Sequence, residues 1–377
     1  MTSKDPNSHH DRNQEFRVTV LPGDGIGPEV VRCAVHVLEE VARRFSLVVH
    51  LEWDEIGLAA VRRYGVPLAE ETLHRVKASD AVLLGAVGGP EAEEGDFSRR
   101  PEAGLLALRK GLDLYANLRP VRILPPLLDA SPLKPEIVRG TDLIVVRELV
   151  GGIYYGEPRG RERTEQGGER AVNTMAYSVS QIERIARRAF SLAMGRRKHV
   201  VSVDKANVLE VSLLWREVTT RIHREFPGIT LAHQYVDNCA MQLIRAPRQF
   251  DVIVTGNLFG DILSDEAAVL AGSIGMLPSA SLGDHGSLFE PVHGSAPDIA
   301  GKGKANPLGT ILSVALMFRF AFSRKDAGEL IEGAVCRALE RGFRTPDIAA
   351  EGGRLVGTQA MGERVLEEID LLCRDGR

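Results

Sequence analysis

The chain of 377 residues is poor in cysteine: Cys33, Cys239, Cys336 and Cys373 lie far apart and form no CxxC pair. That spacing speaks against both a zinc framework and a disulfide scaffold. Long apolar runs are missing as well. The longest candidate, 310–318, stops at Arg319, well short of the roughly 18 residues of a membrane span. Nor is there an excess of positive charge. Lys plus Arg total 47 against 51 Asp plus Glu, a formal balance of −4, which leaves no electrostatic footprint for nucleic acid. Residues 1–15, MTSKDPNSHHDRNQE, hold no apolar core and include Asp5, Asp11 and Glu15. They read as a disordered tail rather than a secretory signal or a transit peptide. No repeat and no low-complexity tract interrupts the rest. At 44% hydrophobic and 26% charged residues, usage is that of a globular protein with about two domains. The expected compartment is the cytoplasm, with neither membrane nor nucleic acid as partner.

Short β-branched runs at 18–21, 81–84, 143–146, 200–203 and 252–254 alternate with helical-period segments at 29–44, 180–194 and 208–225. Such alternation predicts an α/β protein on a largely parallel sheet, with its first strand at 17–21. Two stretches read as long loops. Residues 151–173 are rich in glycine and charge, and 277–307 in Gly, Pro and Ser. Loops of that length are usually functional or disordered.

The turn 21–29, LPGDGIGPE, follows the first strand and precedes a helix. Glycine permits close backbone approach there, and Pro28 suits a first helical turn. Its spacing is GxGxG rather than the GxGxxG of a dinucleotide fingerprint, so a plain tight turn is an equal reading. Arg109 and Arg119 flank LDLYANL, and Arg147 ends the run 143–146. Guanidinium groups grip carboxylates bidentately, and open α/β sheets bind ligands at the carboxyl ends of strands. Three arginines so placed point to a small polycarboxylate, although any one alone reads as a surface ion pair.

Asp261 and Asp265, in TGNLFGDILSD, are four residues apart and share a helix face. Two such carboxylates repel unless a cation lies between them, and all-oxygen donors suit Mg²⁺ or Mn²⁺ rather than zinc. The plainer reading has Asp261 stabilising a helix N-terminus. Asp237, in HQYVDN, is a third acid after an apolar stretch. Lys205 closes VVSVDK; burial and nearby cations would depress its pKa and suit it as a base, while a snorkelling surface lysine is the alternative. Tyr154 reads as a proton donor or as an ordinary loop aromatic. The segment 290–307, EPVHGSAPDIAGKGKANP, is a Gly-rich loop able to wrap an adenosine. Asp298 in it would accept ribose hydroxyls and repel a 2′-phosphate.

Together these motifs resemble the isocitrate/isopropylmalate dehydrogenase family, the metal-dependent β-decarboxylating dehydrogenases of (R)-malate-type substrates. The resemblance runs from about Phe16 to the C-terminus. It is densest in LLALRKGLDLYANLRP, RELVGGIYYGEPRG, SVDKANVLE, HQYVDN, VIVTGNLFGDILSDEA and HGSAPDIAGKGKANP. It implies the non-Rossmann, isopropylmalate dehydrogenase-like fold: two α/β domains that share a continuous central sheet. The first domain would be discontinuous (16–114 and 272–377), with NAD-binding loops. The second (115–271) would carry a dimer arm around Tyr154 and the subunit interface. The turn at 21–29 would lie near the nicotinamide.

By the same resemblance, Arg109, Arg119 and Arg147 would bind the malate carboxylates, with Asp237, Glu102, Leu105, Leu106 and Val208 completing the substrate site. Asp237, Asp261 and Asp265 would surround Mg²⁺ or Mn²⁺. Tyr154 and Lys205 would be the acid–base pair, with Lys205 and Asp237 supplied by the partner subunit of a homodimer with shared active sites. NAD would lie on Gly88, Gly89 and Glu102, along 88–102, and on His293, Gly294, Ser295, Ala296, Pro297, Asp298, Ile299 and Asn306. The implied reaction is the NAD-dependent oxidative decarboxylation of (2R,3S)-3-isopropylmalate to 4-methyl-2-oxopentanoate in leucine biosynthesis. Isocitrate, homoisocitrate, and tartrate or malate are the alternative substrates. A silent regulatory paralogue is a further alternative, against which the full set of Tyr154, Lys205 and three aspartates argues. Val150 stands where the family pattern has Thr, which removes no expected ligand.

Overall fold

A computed structural model describes residues 14–89 and 100–375. Its strands are β1 (Glu15–Gly23), β2 (Val48–Trp53), β3 (Ala81–Ala86), β4 (Ala116–Arg122), β5 (Asp142–Glu148), β6 (Gly156–Arg163), β7 (Glu169–Thr174), β8 (His199–Asp204), β9 (Thr230–Tyr235), β10 (Val252–Thr255), β11 (Pro278–Leu282) and β12 (Ser287–Pro291). One ten-stranded sheet runs β2-β1-β3-β12-β11-β4-β5-β10-β8-β9. Each β-branched run read from the sequence is a strand of it. Pairing is parallel toward both flanks and antiparallel at the centre, across β12–β11, β11–β4 and β4–β5.

Most inner strands of this sheet are apolar on both faces because helices cover both, whereas the edge strands β2 and β9 are partly exposed. On β5, Leu143 and Val145 join one core cluster while Ile144 and Val146 join another. A strand buried on two sides reads as a continuous β-branched run, which is why periodicity found it. The expected helices form at Gly27–Arg44, Val179–Met194 and Glu210–His223.

Three expectations are corrected. The stretch 277–307, read as loop, supplies β11 and β12 at the middle of the sheet. Strand β11 escaped notice because it reads Pro-Ser-Ala-Ser-Leu. Its buried Ser279 and Ser281 hydroxyls are satisfied by the Asn117 side chain on β4, which donates to them at 2.7 and 2.9 Å. The stretch 151–173 is also no loop: β6 and β7 form an antiparallel ribbon, exposed along most of its length. With no face on the core, the ribbon has no apolar alternation to read. Finally, β1 begins at Glu15, within the expected tail, because Glu15 pairs with Val48; 1–13 lie outside the described residues.

Strands β2, β1, β3, β12 and β11 come from 15–86 and 278–291, and the other five from 116–255. The carboxyl ends of β3, β5, β8 and β10 carry 87–89, Arg147, Lys205 and the helix Asn257–Leu270. Among the described residues no helix is long and apolar enough to cross a membrane.

Phe289 lies fully buried on β12, one strand from the β11–β4 line where the two groups of strands meet. Phe289→Ala is expected to lower stability by about 3–5 kcal/mol through lost burial and a residual cavity. Chemical denaturation with a two-probe check of cooperativity measures it.

Candidate active site

The site grows from β4 and β5. Asn117 faces Arg147 in register, so Arg119, two residues on, projects from the same face of the sheet. Arg147, Arg119 and Arg109 are all buried. A buried guanidinium must find acceptors for its donors, and each of the three has at least one carboxylate partner. Arg147 donates through Nε and Nη2 to Asn257 Oδ1 at 2.9 and 2.8 Å, and through Nη1 to Asp261. Arg119 donates to Asn117 Oδ1 (2.9 Å), Ser264 Oγ (2.8 Å) and Asp265 Oδ1 (2.9 Å). Arg109, on the helix Pro101–Gly111, pairs with Glu290 of β12 at 2.8 Å. Its Nε is buried without a partner.

The acids respond to this positive field. Burial pushes the Asp261 carboxyl up, but Arg147 and Arg119 outweigh it and hold the group below the usual carboxylate range. Asp265 moves the other way: burial dominates, the neighbouring Asp261 adds to it, and Arg119 only partly offsets them. Tyr154 donates its hydroxyl proton to Asp261 Oδ2 at 2.9 Å, beneath an Arg147 guanidinium 5.7 Å from its ring centre. Burial and the Asp261 charge raise its pKa, so the phenol keeps its proton.

These residues open onto one cleft of about 490 Å³, lined by Arg109, Arg119, Arg147, Tyr154, Asp261, Glu102, Leu105, Leu106, Glu290, His293 and Gly294, among others. Leu84–Val87, at the end of β3, form part of the same wall. The turn at 21–29 packs behind it. Gly25 (φ +57°) stands so close to the Ser295 carbonyl that a Cβ would meet it at 2.0 Å. Ile26 donates to that carbonyl at 2.8 Å, which ties the turn to the 293–306 loop. Asp24 accepts the backbone N–H groups of Leu58, Ala59 and Gly88, each at 3.0 Å, and so fixes the Gly88–Gly89 segment. Residues 90–99, part of the expected cofactor path, lie outside the described residues.

Not every expected residue gathers here. Lys205 and Asp237 pair with each other at 2.7 Å, and Val208 is 69% exposed. Lys205 thus faces a carboxylate rather than the cations the sequence reading supposed. Along the 293–306 loop, Ser295 is buried, Ala296 and Ile299 half-buried, and Pro297 and Asp298 exposed. Asn306 turns inward, donating to Asp347 at 3.0 Å and accepting from the Leu308 N–H. Val150 supplies to Glu148 a backbone N–H that any residue there would provide.

Sequence reasoning passed over Asn257, Glu290 and Asp24. All three stand inside the motifs it singled out, but nothing local shows that their acceptors face a buried arginine or a remote backbone.

A deep cleft at the carboxyl edge of a mixed sheet, carrying buried arginines, paired acids and a protonated tyrosine, defines an α/β enzyme for small polyanions. Residues 17–365 match the isocitrate/isopropylmalate dehydrogenase family, and the chain belongs to it. It is 58% identical over 356 residues to 3-isopropylmalate dehydrogenase of Gloeobacter violaceus, covering 94% of this chain and 98% of that one. The corresponding enzyme of Aquifex aeolicus is 54% identical over 360 residues, with 95% and 98% coverage. Among solved structures, isocitrate dehydrogenase from Methylococcus capsulatus superposes with a TM-score of 0.84 at 37% identity, covering 94% of this chain and 99% of that one.

Asp24→Ala would leave three backbone donors without their acceptor in a buried setting. The expected loss is about 2–4 kcal/mol, read as a lower denaturant midpoint at unchanged slope.

Proposed function

We propose that this chain catalyses the NAD-dependent oxidative decarboxylation of (2R,3S)-3-isopropylmalate to 4-methyl-2-oxopentanoate, the dehydrogenase step of leucine biosynthesis, as a cytoplasmic homodimer. One observation carries the substrate choice: a wall of the arginine-lined cleft is apolar. Leu105 and Leu106 lie one turn from Arg109 on the same helix, with Glu102 beyond them. An isopropyl group gains about 0.8 kcal/mol per buried methylene there. The third carboxylate of isocitrate would meet two leucines and a like charge, at a cost of several kcal/mol. The charge penalty separates the substrate classes, and methylene fit only tunes among alkylmalates.

The residues fit both expected cofactors. Asp261 and Asp265 offer oxygen donors only, remain partly open to solvent, and have one member, Asp265, pushed toward protonation by burial first and by the charge of the other in addition. A divalent cation relieves that repulsion. For the nucleotide, Gly88 (φ +128°) and Gly294 keep the backbone open. His293 Nδ1 donates to the Gly294 carbonyl at 2.9 Å, which leaves Nε2 as a buried acceptor without a partner. Burial lowers its pKa, so the ring meets a base uncharged.

When bound, Mg²⁺ or Mn²⁺ supplies Lewis acidity at the substrate hydroxyl and carboxylate, and NAD⁺ accepts the hydride. Arg109, Arg119 and Arg147 hold the malate carboxylates; their side chains are already fixed by Glu290, Asn117 and Asn257, so little reorganisation accompanies binding. Lys205 takes the alcohol proton. Tyr154, holding its proton against Asp261, delivers it to the carbon that has lost CO₂. Asp298 favours NAD over NADP by accepting the ribose hydroxyls.

The dimer reading rests on what a single chain leaves apart. Among the described residues no three His, Cys, Asp or Glu side chains gather to hold a metal, although Asp261 and Asp265 stand ready. A second subunit supplying Lys205 and Asp237 completes the set. Leu213, Met241, Ile244, Ile262 and Val269 are exposed on three helices of the same region, the composition of an interface. The β6–β7 ribbon is the arm we assign to interlocking. We place the boundary between the two domains, 16–114 with 272–377 and 115–271, at the β11–β4 seam.

Reduction of NAD⁺ followed by absorbance is expected with isopropylmalate and Mg²⁺, with kcat/KM at least about a hundredfold above that for isocitrate. Comparable rates on isocitrate would remove the leucines from the pocket and the substrate assignment with them.

Shared sites make a second prediction. Asp261→Asn and Lys205→Met should each be nearly inactive alone. Unfolded together and refolded at equal amounts, they should recover about a quarter of wild-type activity, since each mixed dimer has one intact site. No recovery would show that both residues act within one chain.

A further inference from the structure

This inference rests on the roles just assigned to Tyr154 and Arg147, and concerns a buried acid that the mechanism leaves unused. Glu148 follows Arg147 at the end of β5 and is wholly buried. Its carboxylate accepts the N–H of Val150 at 3.2 Å and of Gly151 at 2.8 Å, and lies with the edge of the Tyr177 ring against Gly151. The Tyr177 hydroxyl accepts the Asn257 N–H at 2.7 Å. Asn257 closes the circuit: its Oδ1 holds Arg147, and its Nδ2 donates to the carbonyls of Leu149 (3.1 Å) and Gly151 (3.0 Å).

Gly151 is therefore held at both its N–H and its carbonyl, and it leads directly into the single turn Gly152–Tyr154. The Tyr177 ring seals the arrangement. A Cβ on Gly151 would lie 2.6 Å from the ring, and one on Gly152 (φ +72°) 2.5 Å from its hydroxyl. We propose that Glu148 is a positioning residue which, through Gly151, Tyr177 and Asn257, fixes the proton donor Tyr154 relative to the carboxylate-binding Arg147.

Two backbone donors converge on Glu148, one on each oxygen, so the lock needs the carboxylate form; a proton would place a donor where donors already face it. Burial raises the Glu148 pKa to about 7, against the two backbone N–H groups and the Arg184 charge. The other titratable groups acting with it are Tyr177 and Tyr155. The lock therefore loosens as pH falls through neutrality.

Glu148→Gln and Glu148→Asp are compared with wild type by rapid quench, following NADH and the final ketone separately across pH. For Glu148→Gln the expected result is an isopropylmalate KM within about threefold of wild type, a kcat lower by about tenfold or more, and a burst of NADH ahead of ketone. The wild-type fall in kcat below pH 7 disappears in the variant, and Glu148→Asp restores part of the rate. Should Glu148→Gln fail to fold, Tyr177→Phe keeps the ring, removes the acceptor of the Asn257 N–H in the same lock, and is expected to show the same lag. Unchanged kcat, or NADH and ketone falling together with an unaltered pH profile, overturns the proposal. A wild type that forms no NADH from isopropylmalate overturns the substrate assignment instead, and is recognised before any substitution is made.

Discussion

Three guanidinium groups buried side by side set the terms for the rest of this structure. An unpaired buried charge is destabilising by several kcal/mol, so Arg109, Arg119 and Arg147 can exist at the carboxyl edge of the sheet only if counter-charges and amide oxygens are delivered to them. Most deliverers come from far along the chain, Glu290 on β12 and Asp261 and Asp265 on the helix Asn257–Leu270, while Asn117 stands two residues from Arg119 on β4. Meeting this requirement draws strands from both ends and the middle of the chain to one place. The partners are not equivalent. Glu290 is buried with Arg109, whereas Asp261 and Asp265 keep an open side. Those two can exchange an arginine contact for a cation or a substrate without leaving a charge stranded.

The sheet is built to keep these groups still. Parallel strands, covered on both faces except at the sheet edges, make up its flanks, and the antiparallel centre joins them through β11, whose polarity is absorbed by Asn117, Ser279 and Ser281. The Asn117 amide serves two ends, since its carbonyl oxygen also accepts from Arg119. A polar strand at the centre of the sheet and a buried cation at the site thus depend on one side chain. Networks of this kind are cooperative: removing one member leaves several groups unsatisfied together.

Much of this was legible from residue order. Strands β1, β3, β5, β8 and β10 announced themselves as β-branched runs, because burial on two faces leaves a signal in every residue, whereas the partly exposed edge strands β2 and β9 did not. The acid pair at 261 and 265 was visible as an i,i+4 spacing, and Arg147 as the terminus of a strand. What could not be read was β11, whose serines look like loop until Asn117 is seen opposite. The β6–β7 ribbon was equally silent, since a hairpin that packs on no core carries no alternation.

Sequence by itself determined the α/β class, the five buried strands β1, β3, β5, β8 and β10, and the chemistry of the side chains available, since each of these rests on local periodicity or on the identity of single residues. The family motifs added which of those side chains belong to one site. Only the tertiary structure decided that Arg109 meets Glu290 across 181 positions, that Asp24 holds Gly88, and that Lys205 and Asp237 stand together and apart from the acid pair. Such contacts follow from the register of strands distant in sequence, and the partner that satisfies a buried charge leaves no mark on its neighbours in the chain.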